Sequence, residues 1–254
     1  MEEKIKGRIL ILRGGEDVDE TAEKIRRAGW TPIACPMIEF LPPEDYEPLD
    51  EAIRSLERYD WIFFTSAHSI RFFARRVEVL NRNEAVGAAK LAAIGPATQR
   101  AALALGWRLD FIAERSSAEG FFEEFRQKYA IRSQRFLLPL SNIAHRTMPD
   151  LLQEYEGDVN AVVAYRNEPV KEIPQDVIGL LSEGAMDWTL FTSPSTARNF
   201  FAVLRDHPNA QNGVRAASIG PTTSQALREL GFPPIVEAQT HTLDGLLAAI
   251  LLTP

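Results

Sequence analysis

Four short polar clusters hold the residue types of this sequence that could do chemistry. Thr65-Ser66 and Thr192-Ser193 form one pair, and Gly95-Pro96-Ala97-Thr98 and Gly220-Pro221-Thr222-Thr223 form the other. Glycine permits close approach and dihedrals closed to other residues. Proline suits the first position of a helix, where no N–H partner is required. The amides that follow it lie at the positive end of the helix dipole. Such a turn can hold a carboxylate or a phosphate without a basic side chain. Serine and threonine at these places are also ordinary helix caps. The ligand reading gains from Thr65-Ser66 and Thr192-Ser193, which each supply two hydroxyls where one cap would do.

Other candidates stand further from these turns. Arg13 follows the first predicted strand and could bind a carboxylate. His145-Arg146 could contact an anion or simply open a solvated helix. Tyr165 ends a predicted strand and could donate a proton or only pack. Asp60 and Asp187 precede strands and read as turn residues. The four histidines, His68, His145, His207 and His241, show no metal-ligand spacing. Gly14-Gly15 is not a dinucleotide fingerprint, and no phosphate-binding loop of the Walker type is present. The residues alone therefore point to a cleft lined with amides and hydroxyls, suited to an anionic organic ligand, with no nucleophile–base pair, metal site or nucleotide loop.

The elements that must position these turns are written twice. Asp60-Trp61-Ile62-Phe63-Phe64-Thr65-Ser66 returns at an offset of 127 as Asp187-Trp188-Thr189-Leu190-Phe191-Thr192-Ser193. Ile70, Phe73, Ala74 and Val77 are matched by Ala197, Phe200, Phe201 and Leu204, each set one buried helix face. Ala93 to Thr98 returns at an offset of 125 as Ser218 to Thr223, and Arg8-Ile9-Leu10-Ile11 corresponds to Arg135-Phe136-Leu137-Leu138. Strands are predicted at 8–12, 32–35, 61–65, 91–94 and 110–113, and again at 135–138, 161–165, 188–192, 216–219 and 235–238. Several are apolar on both faces, as buried parallel strands are. Strands alternating with helical patterns imply right-handed crossovers and an α/β fold of doubly wound parallel sheets, flavodoxin-like or Rossmann-like. In open sheets of this kind ligands bind beyond the carboxyl ends of the strands, where the polar turns lie.

Composition narrows the class. The chain has 254 residues, 45% hydrophobic and 25% charged, which suits one large or two ordinary domains. The net charge of −7, with no long basic block, argues against nucleic acid as a partner. It also means that an anionic ligand must be held by local groups. No apolar run approaches a membrane span, the N-terminus lacks a secretory pattern, and Cys35 is the sole cysteine. These features suggest a cytoplasmic protein without a membrane partner or an internal disulfide.

At this point the sequence resembles the uroporphyrinogen-III synthase family. The resemblance rests on Phe64-Thr65-Ser66, Ile94-Gly95-Pro96-Ala97-Thr98, Phe191-Thr192-Ser193-Pro194-Ser195 and Ile219-Gly220-Pro221-Thr222-Thr223. Cys35-Pro36-Met37-Ile38-Glu39-Phe40 and Ala164-Tyr165-Arg166-Asn167-Glu168-Pro169 extend it over essentially the whole chain. Two stretches depart from the family pattern. Leu12-Arg13-Gly14-Gly15 stands where a Thr-Arg-Pro-like end is common, and Pro139-Leu140-Ser141-Asn142 replaces an Arg-containing turn.

The resemblance implies that the chain leaves its first domain early, builds the second, and returns. Domain one would be 1–36 with 168–254, domain two 39–165, joined by two hinge strands near 37–40 and 166–169. It implies cyclisation of hydroxymethylbilane with inversion of the terminal pyrrole ring and loss of water, giving uroporphyrinogen III, and no cofactor. The partner would be this small-molecule linear tetrapyrrole, handed over from hydroxymethylbilane synthase, and nothing demands more than a monomer. The family motifs imply ligand contacts at Ser66, Thr98, Ser193 and Thr223 and a tyrosine at Tyr165 that assists departure of the hydroxyl; Arg13 and Arg146 stay as carboxylate partners on their positions alone. Two other functions fit the same turns: a non-catalytic binding or regulatory protein for an anionic small molecule, and an enzyme acting on a phosphorylated metabolite.

Overall fold

A computed structural model describes residues 6–14 and 17–253. The chain runs through β1 (Arg8–Ile11), α1 (Asp17–Arg27), β2 (Thr31–Ala34), β3 (Ile38–Leu41) and α2 (Glu47–Arg54). It continues through β4 (Trp61–Phe64), α3 (Ala67–Val79), β5 (Lys90–Ala93), α4 (Pro96–Ala104), β6 (Phe111–Ile112) and α5 (Ala118–Lys128). Next come β7 (Arg135–Ser141), α6 (Thr147–Glu154), β8 (Asp158–Pro169) and α7 (Gln175–Ser182). The last stretch holds β9 (Trp188–Phe191), α8 (Pro194–Val203), α9 (Pro208–Asn212), β10 (Ala216–Ser218), α10 (Pro221–Glu229), β11 (Val236–Glu237) and α11 (Leu243–Leu251). Among the described residues no helix is long and apolar enough to cross a membrane.

The chain divides into two compact units. Met1–Glu39 with Glu168–Pro254 forms unit one, and Phe40–Asn167 forms unit two. Unit one holds a sheet in the order β11-β10-β9-β1-β2, and the second sheet runs β3-β8-β7-β4-β5-β6. By sequence correspondence β1 matches β7, β2 matches β8, β9 matches β4, β10 matches β5 and β11 matches β6. Leaving β3 aside, the two sheets therefore have the same spatial order, entered by the chain at different points. Each takes two adjacent strands from one half of the sequence and three from the other.

Two aspartates fasten this exchange. Asp187 Oδ2 accepts from the Arg8 amide at 2.7 Å, and Asp60 Oδ2 accepts from the Arg135 amide at 2.8 Å. Each joins a residue of one half of the sequence to the start of a strand from the other. Both stand in the bend before a strand, as expected of turn residues, and in addition clamp the entry of an interior strand.

Within each unit both faces of the sheet are covered, which explains why the central strands lack alternation. In unit one Leu10 and Phe191 pack with α7, α8 and α10, while Ile9, Ile11 and Trp188 pack with α1 and α11. In unit two Ile62 and Phe64 pack with α2, α3 and α4, while Trp61 and Phe63 pack with α5 and α6. The edge strands β6 and β11 are shorter than predicted, each having one strand neighbour only. The separate strands expected at 161–165 and near 166–169 are one strand, β8, because no turn residue interrupts them.

Candidate functional site

In unit two the polar turns stand at the carboxyl ends of neighbouring strands. Ser66 leaves β4 in extended backbone and caps α3, its Oγ accepting from the Ser69 amide at 3.0 Å. The same oxygen lies 3.1 Å from the Tyr165 hydroxyl. One strand over, Gly95 stands two residues past the end of β5, and its φ of +81° is a left-handed conformation that favours glycine. Pro96 then opens α4, and Thr98 is buried in its first turn.

A bulge brings Tyr165 into this site. In the β7–β8 register Leu140 faces Val163 but Ser141 faces Tyr165, so Ala164 is an extra residue. Strict alternation would send Ala164 and Tyr165 to opposite faces. Instead Val162, Ala164 and Tyr165 all join the cluster beneath α2, α3 and α4. Re-aiming a side chain is what a bulge beside a functional site does. Tyr165 is 7% exposed, its ring stacked on Phe72 at 5.6 Å, with His68 at 5.9 Å and Phe40 at 6.0 Å. The rings of Phe40 and His68 are themselves stacked at 3.6 Å. Arg71, half-buried on α3, is held below the usual guanidinium range by burial first and by the Arg75 charge second.

Unit one repeats the turns with different contacts. Ser193 caps α8, its Oγ accepting from the Thr196 amide at 3.2 Å. That hydroxyl meets Thr196 Oγ1 at 2.8 Å and Ser195 Oγ at 3.0 Å rather than a tyrosine. Pro221 opens α10 after β10, and Thr223 is buried in its first turn. The Ser218 hydroxyl, also buried, donates to the Gly220 carbonyl at 3.0 Å and so holds the turn from below.

The sequence-predicted residues thus separate into groups. Ser66 and Tyr165 are brought together, with Thr98 one strand away. Ser193 and Thr223 stand on adjacent strand ends of unit one. Arg13 is half-buried just past β1. Arg146 is 70% exposed and engages Asp150 at 3.2 Å, one turn along its own helix, so its charge is partly answered already. His68 has no metal-ligand spacing, yet its ring lies beside Tyr165. Its signal was positional: it stands two residues past the Ser66 cap, as Ser195 does past Ser193.

Comparison with known proteins gives these turns a context. The family model described as uroporphyrinogen-III synthase HemD matches residues 19–248. A uroporphyrinogen-III synthase of Synechococcus elongatus is 33% identical over 248 residues, covering 95% of this chain and 93% of the relative. One from Chlorobaculum parvum is 27% identical, covering 88% of this chain and 89% of the relative. The crystal structure of the Helicobacter pylori uroporphyrinogen-III synthetase aligns with a TM-score of 0.58 at 16% identity, over 96% of this chain and 98% of that one. The last likeness concerns the fold: an α/β protein with two parallel-sheet domains.

Proposed function

The chain belongs to the uroporphyrinogen-III synthase HemD family, and we propose that Tyr165, held by Ser66, assists departure of the substrate hydroxyl. The activity is that of a hydro-lyase of tetrapyrrole biosynthesis: hydroxymethylbilane is closed to uroporphyrinogen III with inversion of the terminal ring and loss of water. The contact of 3.1 Å between Tyr165 and Ser66 carries the assignment of roles.

The chemistry asks little acid–base strength of the protein. A pyrrole nitrogen of the substrate pushes out the hydroxyl and leaves an azafulvene. A phenol in contact with the departing oxygen can donate a proton as the C–O bond breaks, so that water leaves. The phenolate then regains a proton when the closing ring loses one, and the cycle balances. Ser66 Oγ already accepts from the Ser69 amide, so it is fixed in place when it meets the phenol. Attack through the substituted position of the terminal ring gives a spiro intermediate, which opens and recloses inverted. Since the linear substrate closes unaided to the uninverted isomer, the protein's main task is to hold a conformation.

Holding it falls to the turns. The substrate carries carboxylates around its length, and the amides of the first turns of α3, α4, α8 and α10 suit such groups. Ser66, Thr98, Ser193 and Thr223 are the side chains beside them, and Arg13 and Arg146 are the arginine candidates. The reading needs no cofactor, a monomer suffices, and a cytoplasmic setting with hand-over from hydroxymethylbilane synthase fits it.

The test is an assay with freshly made hydroxymethylbilane, followed by oxidation and separation of the type I and type III isomers. Type III product is expected from the wild-type chain, with a large loss in Tyr165→Phe. Undiminished turnover in that variant would return Tyr165 to a packing role.

A further inference from the structure

Gly95 and Gly220 occupy the same place in the repeat but are glycine for different reasons. Gly95 has φ +81°, and the nearest atoms to a Cβ built there belong to Ser116 at 3.7 Å. Gly220 has φ 169° and ψ −179°, an extended backbone that any residue adopts. A Cβ on it would instead meet the His241 ring, with Cδ2 at 3.0 Å, Cγ at 3.2 Å and Nε2 at 3.3 Å. At 220 it is contact with the imidazole, not backbone conformation, that a side chain would disturb.

The ring lies against the residue that caps α10. His241 follows β11 and adjoins Thr242, the cap of α11, while Gly220 caps α10. His241 is exposed although one side of its ring rests on buried Gly220. Among the described residues no hydrogen bond or ion pair engages its imidazole. At the offset of 125 its counterpart in unit two is Ser116, and the counterpart of His68 in unit one is Ser195. The imidazole of unit one thus stands at a strand end where unit two has a serine, and His68 of unit two stands where unit one has a serine.

We propose that His241 is a substrate-binding residue of unit one, donating an imidazole N–H to a carboxylate of the linear tetrapyrrole held at the Gly220-Pro221-Thr222-Thr223 turn. This rests on the reading of that turn as a substrate site. An imidazole donates from at least one ring nitrogen in either protonation state. Beside the amides of a helix start it adds a directed N–H donor to the hydroxyls of Thr222 and Thr223.

Steady-state kinetics with hydroxymethylbilane on His241→Ala, His241→Gln and Thr223→Val tests this. His241→Ala is expected to raise KM about tenfold with kcat within about twofold, as loss of one hydrogen bond to a charged group would. His241→Gln, which keeps an N–H donor, should recover part of the loss. A rise in KM for Thr223→Val with none for His241→Ala would overturn the role of His241 and leave the turn as a substrate site. Wild-type KM in both would remove the turn from the substrate site altogether. A fall in kcat at unchanged KM for His241→Ala would also overturn the proposal, placing the residue in the chemistry rather than in binding.

Discussion

The Tyr165 hydroxyl and the Ser66 hydroxyl lie 3.1 Å apart although 99 residues separate them in the chain. Ser66 arrives as the cap of a helix and Tyr165 as the first residue past a bulge. Tyr165→Phe should lower turnover about 10²-fold if the phenol acts as a general acid, with the fold retained. Isomer-resolved kinetics and a thermal melt on the same sample check both halves of that statement. Ser66→Ala should lower turnover less and also cost about 1 kcal/mol of stability through loss of the α3 cap.

Asp50 and Arg76 pin α2 to α3 in the same unit. The carboxylate is 6% exposed and takes Arg76 Nε and the Arg76 fork at 2.6 Å each, with Arg54 at 3.5 Å. The Arg76 hydrogen bonds, and then the nearby positive charges, hold Asp50 below the usual carboxylate range. Such a group stabilises the fold above its unfolded pKa, and that contribution is lost as pH falls through the lower folded value. Asp50→Ala should cost about 3 kcal/mol by leaving Arg76 without its partner. It should also flatten the acid limb of the stability–pH curve measured by denaturant unfolding.

Cys35 should be inert in the native protein. Its thiol is 1% exposed, and burial, followed by the Asp176 charge, pushes it from 9.0 up to about 12. A raised acid favours the folded state while both states stay protonated. The unfolded chain then releases its proton first, so stability falls as pH rises through 9.0 to about 12. A maleimide probe should label Cys35 only after unfolding. Rapid labelling near neutral pH under native conditions would show that the thiol is not enclosed.

The two equivalent glycines should respond differently to alanine. Gly95→Ala forces a left-handed conformation on a residue with a Cβ and should cost about 1–2 kcal/mol of stability, read by thermal unfolding. Gly220→Ala meets no such strain. It should displace His241 and act on KM more than on the melting temperature.

The strands were legible in the sequence because both faces of each sheet are covered. Runs such as Trp61–Phe64 and Trp188–Phe191 are apolar throughout. The caps were legible because serine and threonine serve the same local hydrogen bond in any fold, as Ser66 and Ser193 do. The repeat was legible too, but it suggests two consecutive domains when read alone. Nothing in either copy records that Asp60 clamps Arg135 or that Asp187 clamps Arg8.

What the sequence by itself determined is local: strand, helix, cap and glycine–proline turn, each fixed by neighbours within a few residues. Tertiary structure alone decided which half of the sequence supplies which strand, because pairing between strands as far apart as Trp61 and Phe136 or Ile9 and Trp188 leaves no periodic trace. It alone turned Tyr165 toward Ser66, since one extra residue opposite Ser141 reverses the face of everything after it. It alone laid His241 on Gly220, a contact between two strand ends that no spacing encodes.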